Sequence, residues 1–158
     1  NFNNPILADV RVRKALAKIH WPGRLEIVSD SPVTIVDACI NRNSAERVKE
    51  VLEKIKHGKI TAVMGIPADK DCKGAAEVIS GIADRIIMTA ADNPHYKFDK
   101  ASAEGIKNAV YADTLEKALN TAAKSKPDML LILGTTALVS EFYAKFLLPL
   151  DGGHIFKL

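Results

Sequence analysis

The sequence predicts an α/β protein: a mostly parallel sheet, helices on both of its faces, and an antiparallel hairpin at one edge. Three observations predict it. Apolar runs of strand length, such as residues 129–133, alternate with stretches whose apolar residues recur at helical spacing. The connections between them are short, as parallel sheets covered on both faces require. Near the start, residues 24–37 form two strand-like runs broken by Asp30-Ser31-Pro32, which reads as a hairpin.

The elements follow in order. Residues 1–20 make one isolated helix-like segment with apolar Val10, Val12, Leu16 and Ile19 among cationic Arg11, Arg13, Lys14 and Lys18. The hairpin leads to a helix expected to open at Asn43, with Glu46 completing a capping box and Ala45, Val48, Val51, Leu52 and Ile55 inward. A buried-type strand at 59–64 stops at Gly65. The loop 66–70 precedes a second helix near Asp71 with Ala75, Val78, Ile79 and Ile82 inward. A third parallel strand covers 85–89, followed by a polar loop at 91–99 and a short helix at about 101–107. A weak strand at 109–112 precedes a helix expected to be capped by Asp113, with Leu115, Ala118, Leu119 and Ala122 inward. The strand at 129–133 is the most apolar; Gly134 ends it, and Thr135 or Thr136 caps a final helix reaching about Leu147. This is a Rossmann-like alternation. The tail from Asp151 carries no assignable pattern.

Bulk properties narrow the function. At 158 residues the chain makes one ordinary domain, and 47% apolar residues suit a globular core. The net charge of +3 is mild and acidic residues are interspersed throughout, so no basic stripe for nucleic acid is expected. No apolar run approaches the roughly 20 residues of a membrane span. Two cysteines make neither a disulfide framework nor a zinc site and suit a reducing cytoplasm. Asn1 is not a start methionine, and the chain reads as cut from a longer protein.

In an open α/β sheet the carboxyl ends of the strands face one crevice where ligands bind. That edge collects Asp37 with Asn41, Gly65 with Asp69, Thr89 with Asp92 and Asn93, Asp113, and Gly134 with Thr135. Asp37 ends a buried strand; it either forms the turn or binds a ribose hydroxyl or an ammonium group. Thr135 either caps its helix or stands where backbone N–H groups hold a carboxylate. His95, in the loop after Asp92 and Asn93, is either solvated or touches substrate. The other histidines show no metal-ligand spacing, and His57 reads as a helix C-terminal residue. No Gly-rich Lys-Ser/Thr phosphate loop is present in these 158 residues.

Several segments carry a family resemblance. Trp21-Pro22-Gly23-Arg24-Leu25-Glu26 and the strand ending Asp37-Ala38-Cys39-Ile40-Asn41 resemble the opening of the C-terminal domain of Mur-type ligases, closest to folylpolyglutamate/dihydrofolate synthases. There a Trp-Pro-Gly-Arg-Leu-Glu segment precedes Asp-Gly-Ala-His-Asn-Pro. Gly65 with Asp69-Lys70-Asp71 resembles the family's Gly-x-x-x-Asp-Lys-Asp, Asp92-Asn93-Pro94 its Asp-Asn-Pro-Arg, and Gly134-Thr135 its Gly-Ser. Ile40 replaces His, Arg42 replaces Pro and His95 replaces Arg.

The resemblance implies an ATP-dependent amide-bond ligase that adds an amino acid, such as glutamate, to a folate-like or other carboxylate acceptor. It makes residues 21–158 the closing domain and 1–20 the end of a preceding central domain, which would carry the phosphate loop and magnesium ligands. By implication this fragment is inactive alone, and ATP and Mg serve the full-length enzyme. Arg24 and Asp37 would approach the nucleotide; Asn41, Asp92, Asn93, His95 and Thr135 would face substrate. Two rival readings share the pattern: a Rossmann-like module binding an anionic metabolite without catalysis, and a cyanophycin-synthetase-like ligase domain.

Overall fold

Strands buried on both faces and 3.6-residue periodicity in the helices build two separate apolar layers. The computed structural model describes residues 9–55 and 57–147. Its elements are α1 (Val10–Leu16), β1 (Glu26–Asp30), β2 (Val33–Asp37), α2 (Arg42–Leu52), β3 (Ile60–Gly65), α3 (Cys72–Ile79), β4 (Arg85–Thr89), a 3-10 turn (Lys100–Ala103), β5 (Ala109–Ala112), α4 (Leu115–Lys124), β6 (Met129–Gly134) and α5 (Thr136–Phe142), which runs into a π-helical turn (Tyr143–Leu147).

The six strands form one sheet in the order β1-β2-β6-β3-β4-β5. Only β1 runs antiparallel, paired with β2 through Glu26↔Val36 and Asp30↔Val33, with an irregularity between Ile27 and Ser29. The rest are parallel. Asp37 and Met64 both stand opposite Leu133, and Gly65 stands opposite Gly134, so β2, β6 and β3 end together. Alternate side chains go to opposite faces. Ile35, Ala62, Met64, Ile86, Met88, Leu131 and Leu133 pack with Ala45, Val48 and Leu52 of α2 and Ala75, Ala76 and Ile79 of α3. Val36, Val63, Ile87, Leu130 and Ile132 pack with Leu115, Leu119 and Ala122 of α4 and Leu138 and Phe142 of α5.

The chain moves from β3 to β4 to β5 with α3 on one face, then returns from β5 to β6 with α4 on the other. Right-handed crossovers force that change of face when the direction reverses. The reversal makes β6 a switch point flanked by β2 and β3, where such sheets open their crevice.

Most expected elements form, with corrections at their ends. Helix α2 is capped by Asn41 rather than Asn43. Asn41 is extended, its side chain accepts the Ser44 N–H, and Ser44 reciprocates, so the capping box pairs Asn41 with Ser44 rather than Asn43 with Glu46. Thr114, not Asp113, caps α4: its hydroxyl accepts the Lys117 N–H, while Asp113 is held by Lys100 at 2.9 Å and Lys117 at 3.4 Å. The helix expected at 101–107 is only the 3-10 turn at 100–103. Because α2 ends at Leu52, His57 lies beyond its last turn. Helix α1, capped by Asp9, buries no side chain against the described residues, and Val10, Leu16, Ile19 and Trp21 are exposed. The tail beyond Leu147 lies outside the described residues. No helix among them is long and apolar enough to cross a membrane.

Candidate functional site

A short segment ahead of β1 folds back over the end of β2 to make a lip on the sheet. Gly23 turns with a positive φ of 68°, and a Cβ there would stand 2.9 Å from Val139 Cγ1, so only glycine lets the turn sit against α5. Leu25 follows with φ of 46°, a strained value for a residue with a Cβ. Three hydrogen bonds hold it there. Leu25 N–H donates to Asp37 Oδ2 at 2.9 Å, Ala38 N–H to Gly23 O at 2.9 Å, and the Arg24 guanidinium to Ala38 O at 3.1 Å.

Glu26 secures the other side of the lip. Its carboxylate accepts from Gly23 N–H at 2.8 Å, from the Tyr143 hydroxyl, and from His20 at 3.1 Å. Burial pushes Glu26 upward, but the hydrogen bonds from Tyr143 and Gly23, with His20 beside it, outweigh that and hold it below its ordinary range. Burial and the adjoining Glu26 together push Tyr143 up to about 12, so it stays a donor. Asp37, 8% exposed, is raised by burial, opposed by the Leu25 N–H and the Arg24 charge.

Arg24, Asp37, Ile40, Asn41, Ser44 and Arg47 line one cavity of about 350 Å³ at the end of β2. Sequence reasoning named Arg24, Asp37 and Asn41 for this place. It missed Ser44 and Arg47; their spacing of three on the helix face begun by Asn41 was the available signal. The Asn41 Oδ1 and the Ser44 hydroxyl are engaged in the cap, which leaves the guanidinium groups as the charged donors there.

A second cavity, of about 540 Å³, lies between the loop after β4 and the outer face of α5. Asp92 and Asn93 line it with Thr136, Ser140, Glu141 and Lys145. Asp92 N–H donates to Glu141 at 2.7 Å, and Lys145 bridges Asp92 at 3.3 Å and Glu141 at 3.1 Å. Those pairs hold Lys145 above the usual lysine range, the Glu141 hydrogen bond foremost. The bonding partner Glu141 and the cation Lys145 carried no sequence signal, because they come from the far end of α5 and the π-helical turn after it.

The remaining expected residues lie apart. His95 is exposed and outside both cavities; its N–H closes a turn on Asn93 Oδ1 at 2.9 Å. Thr135 is buried, its hydroxyl caps α5 through Leu138 N–H at 3.4 Å, and its own N–H donates to Gly65 O at 3.2 Å. Its neighbour Thr136 reaches the second cavity instead. Leu138 fills the space above the strand ends, since a Cβ on Gly65 would stand 2.7 Å from it. Asp69 and Lys70 pair with each other at 3.0 Å on the surface. Cys39 is packed, and burial pushes its thiol up to about 11. Among the described residues no group of three His, Cys, Asp or Glu side chains could hold a metal ion.

A mixed six-stranded sheet whose antiparallel edge carries a lip over its own carboxyl ends defines a Rossmann-like α/β domain. The chain belongs to the Mur ligase, glutamate ligase domain family, whose model matches residues 23–136. It is 27% identical to the folylpolyglutamate synthase of Lacticaseibacillus casei over 135 residues, 85% of this chain and 32% of that protein. It is 32% identical to the dihydrofolate synthase/folylpolyglutamate synthase of Buchnera aphidicola over 144 residues, 83% of this chain and 33% of that protein. Its fold superposes on the Yersinia pestis bifunctional folylpolyglutamate synthase/dihydrofolate synthase solved with AMPPNP and manganese, with a TM-score of 0.74 and 25% identity over 84% of this chain and 33% of that one. The chain therefore spans about a third of the length of these relatives.

Proposed function

We propose that this chain is the closing domain of an ATP-dependent ligase that joins an amino acid, such as glutamate, to a carboxylate acceptor of folate-like chemistry. One observation carries the reading: the bond from Leu25 N–H to Asp37 brings Arg24 and Asp37, distant in sequence, to one cavity at the sheet's carboxyl edge. A guanidinium suits phosphate by charge and forked geometry, and a carboxylate suits ribose hydroxyls. ATP would supply the phosphoryl group that activates the acceptor carboxylate. Arg24 and Asp37 would hold the nucleotide, and the cavity lined by Asp92, Asn93 and Thr136 would take the incoming amino acid. The similarity to folylpolyglutamate synthases supports the choice of acceptor. Magnesium and the phosphate loop are assigned to a central domain preceding this one, in keeping with the greater length of the relatives.

The test is ATP turnover by the full-length gene product with magnesium, L-glutamate and a pteroate- or folate-type acceptor. ADP release that requires both acceptor and amino acid supports the reading. Tight ADP binding with no turnover for any acceptor or amino acid would replace it with a non-catalytic binding module, a reading to which Ile40 in the cavity wall lends some support.

A further inference from the structure

The cavity at the end of β2 has an unusual division of labour. Its wall includes Ile40, which neither donates nor accepts a hydrogen bond through its side chain. Asn41 and Ser44 are committed to the α2 cap, and Asp37 to the Leu25 N–H. The positive charge therefore comes from two guanidinium groups on separate segments, Arg24 from the lip and Arg47 from α2.

Arg24 spends one nitrogen on Ala38 O and keeps its remaining N–H groups for a ligand. Arg47 sits one helical turn beyond Ser44, on the face that borders the cavity. Its partner is Glu50, three residues on, with contacts of 3.0 and 2.8 Å from Nη1. Both side chains of that pair are largely exposed, at 76% and 53%. Water screens such a pair, so a multiply charged anion in the cavity competes with Glu50 easily. Two forked cations facing one concavity match the oxygens of a phosphate chain better than they match a single carboxylate.

We infer that Arg47 is a second phosphate-gripping residue, which leaves Glu50 to close with Arg24 on the nucleotide's phosphate chain and supplies the polar contact that Ile40 cannot make. The inference rests on the nucleotide reading of this cavity given above. Arg47 binds and positions; it takes no part in proton transfer.

Calorimetric titration of the full-length protein with ADP and with AMP tests it, using wild type, R24A, R47A, R47K and E50A, each checked for native circular dichroism. Arg47 is exposed, so R47A keeps the fold. R47A weakens ADP binding about tenfold, as loss of a charge-assisted hydrogen bond does, and weakens AMP binding less because fewer phosphate oxygens are involved. R47K recovers part of the affinity, and E50A binds ADP as tightly as wild type or tighter. An R47A affinity for ADP within about twofold of wild type, alongside a clear loss in R24A, would overturn the role of Arg47 alone. Failure of the wild type to bind ADP, or undiminished binding by R24A, would overturn the nucleotide reading and this inference with it.

Discussion

The main-chain N–H of Leu25 donates to Asp37 Oδ2 at 2.9 Å, so the strained residue of the lip is held by the carboxylate that ends β2. One carboxyl group thus fixes the backbone that presents Arg24, and both residues line the same cavity. Binding geometry and local strain are coupled at this single contact.

Asp37→Ala should therefore lower stability and loosen the lip together. The bond replaced is a charged one to a backbone N–H, so the expected loss is about 1–3 kcal/mol in urea denaturation. Asp37→Asn keeps an acceptor and should lose less. Burial raises the Asp37 pKa above its ordinary 3.8, so ionising it opposes folding as pH rises through that raised value. Unchanged stability in Asp37→Ala would mean that the lip is held by its other bonds.

Glu26 titrates with the opposite sign. Its pKa in the folded protein is lowered from an ordinary 4.5, so its contribution is present above that value and fades as pH falls through the lowered one. Wild type should lose stability on acidification below about pH 4.5 more steeply than Glu26→Gln. Tyr143→Phe should flatten the same acid limb, because it removes the donor that lowers Glu26 most. Superimposable pH profiles for the three proteins would remove Glu26 from the acid response.

Asp71 joins two helices. Its Oδ1 accepts Gly74 N–H at 2.9 Å to cap α3, while Oδ2 accepts Arg42 N–H at 3.1 Å from the first turn of α2. Asp71→Ala should cost about 2 kcal/mol, more than an ordinary cap, and Asp71→Asn about half as much. Thermal melts of the two variants decide it; equal melting temperatures for Asp71→Ala and wild type would leave Asp71 a surface residue only.

Gly134 cannot carry a side chain where it lies. A Cβ would stand 2.3 Å from Gly65 O, with no flexible group to yield. Gly134→Ala should destabilise by about 3 kcal/mol through a forced shift of β6 against β3. Gly105→Ala makes the contrast: it has open space but a φ of 74°, so its cost should be about 1 kcal/mol and conformational only. A Gly134→Ala protein as stable as wild type would show that the strand ends can part.

Much of the fold was legible in the residues. The 3.6-residue pattern of Leu115, Ala118, Leu119 and Ala122 named a buried face that is fully buried, and the strands at Arg85–Thr89 and Ala109–Ala112 lie where their apolar runs placed them. The helix starts were less legible. Several neighbouring Asn, Asp, Ser and Thr residues can each cap, and competition by tertiary partners picks one: Lys100 and Lys117 claim Asp113 and leave the cap to Thr114. Of the site, Asp37 and Asn41 could be read because strand ends in a parallel sheet share one edge, and Arg24 through the family resemblance of Trp21 to Glu26. Arg47 was missed although its spacing from Asn41 on one helix face pointed to it; Glu141 and Lys145 could not be read, since their arrival depends on how α5 and the turn after it pack.

The sequence by itself determined the α/β class, the edge hairpin and the family, because periodicity and short motifs such as Trp21 to Glu26 are local properties of the chain. Only the tertiary structure decided which polar residues are spent and which are free. Thr135 is buried as a cap while Thr136 reaches a cavity, and His95 closes its own turn outside both. The physical reason is hydrogen-bond satisfaction: a polar group near a buried strand end must find a partner, and the fold chooses whether that partner is a neighbouring N–H or a ligand.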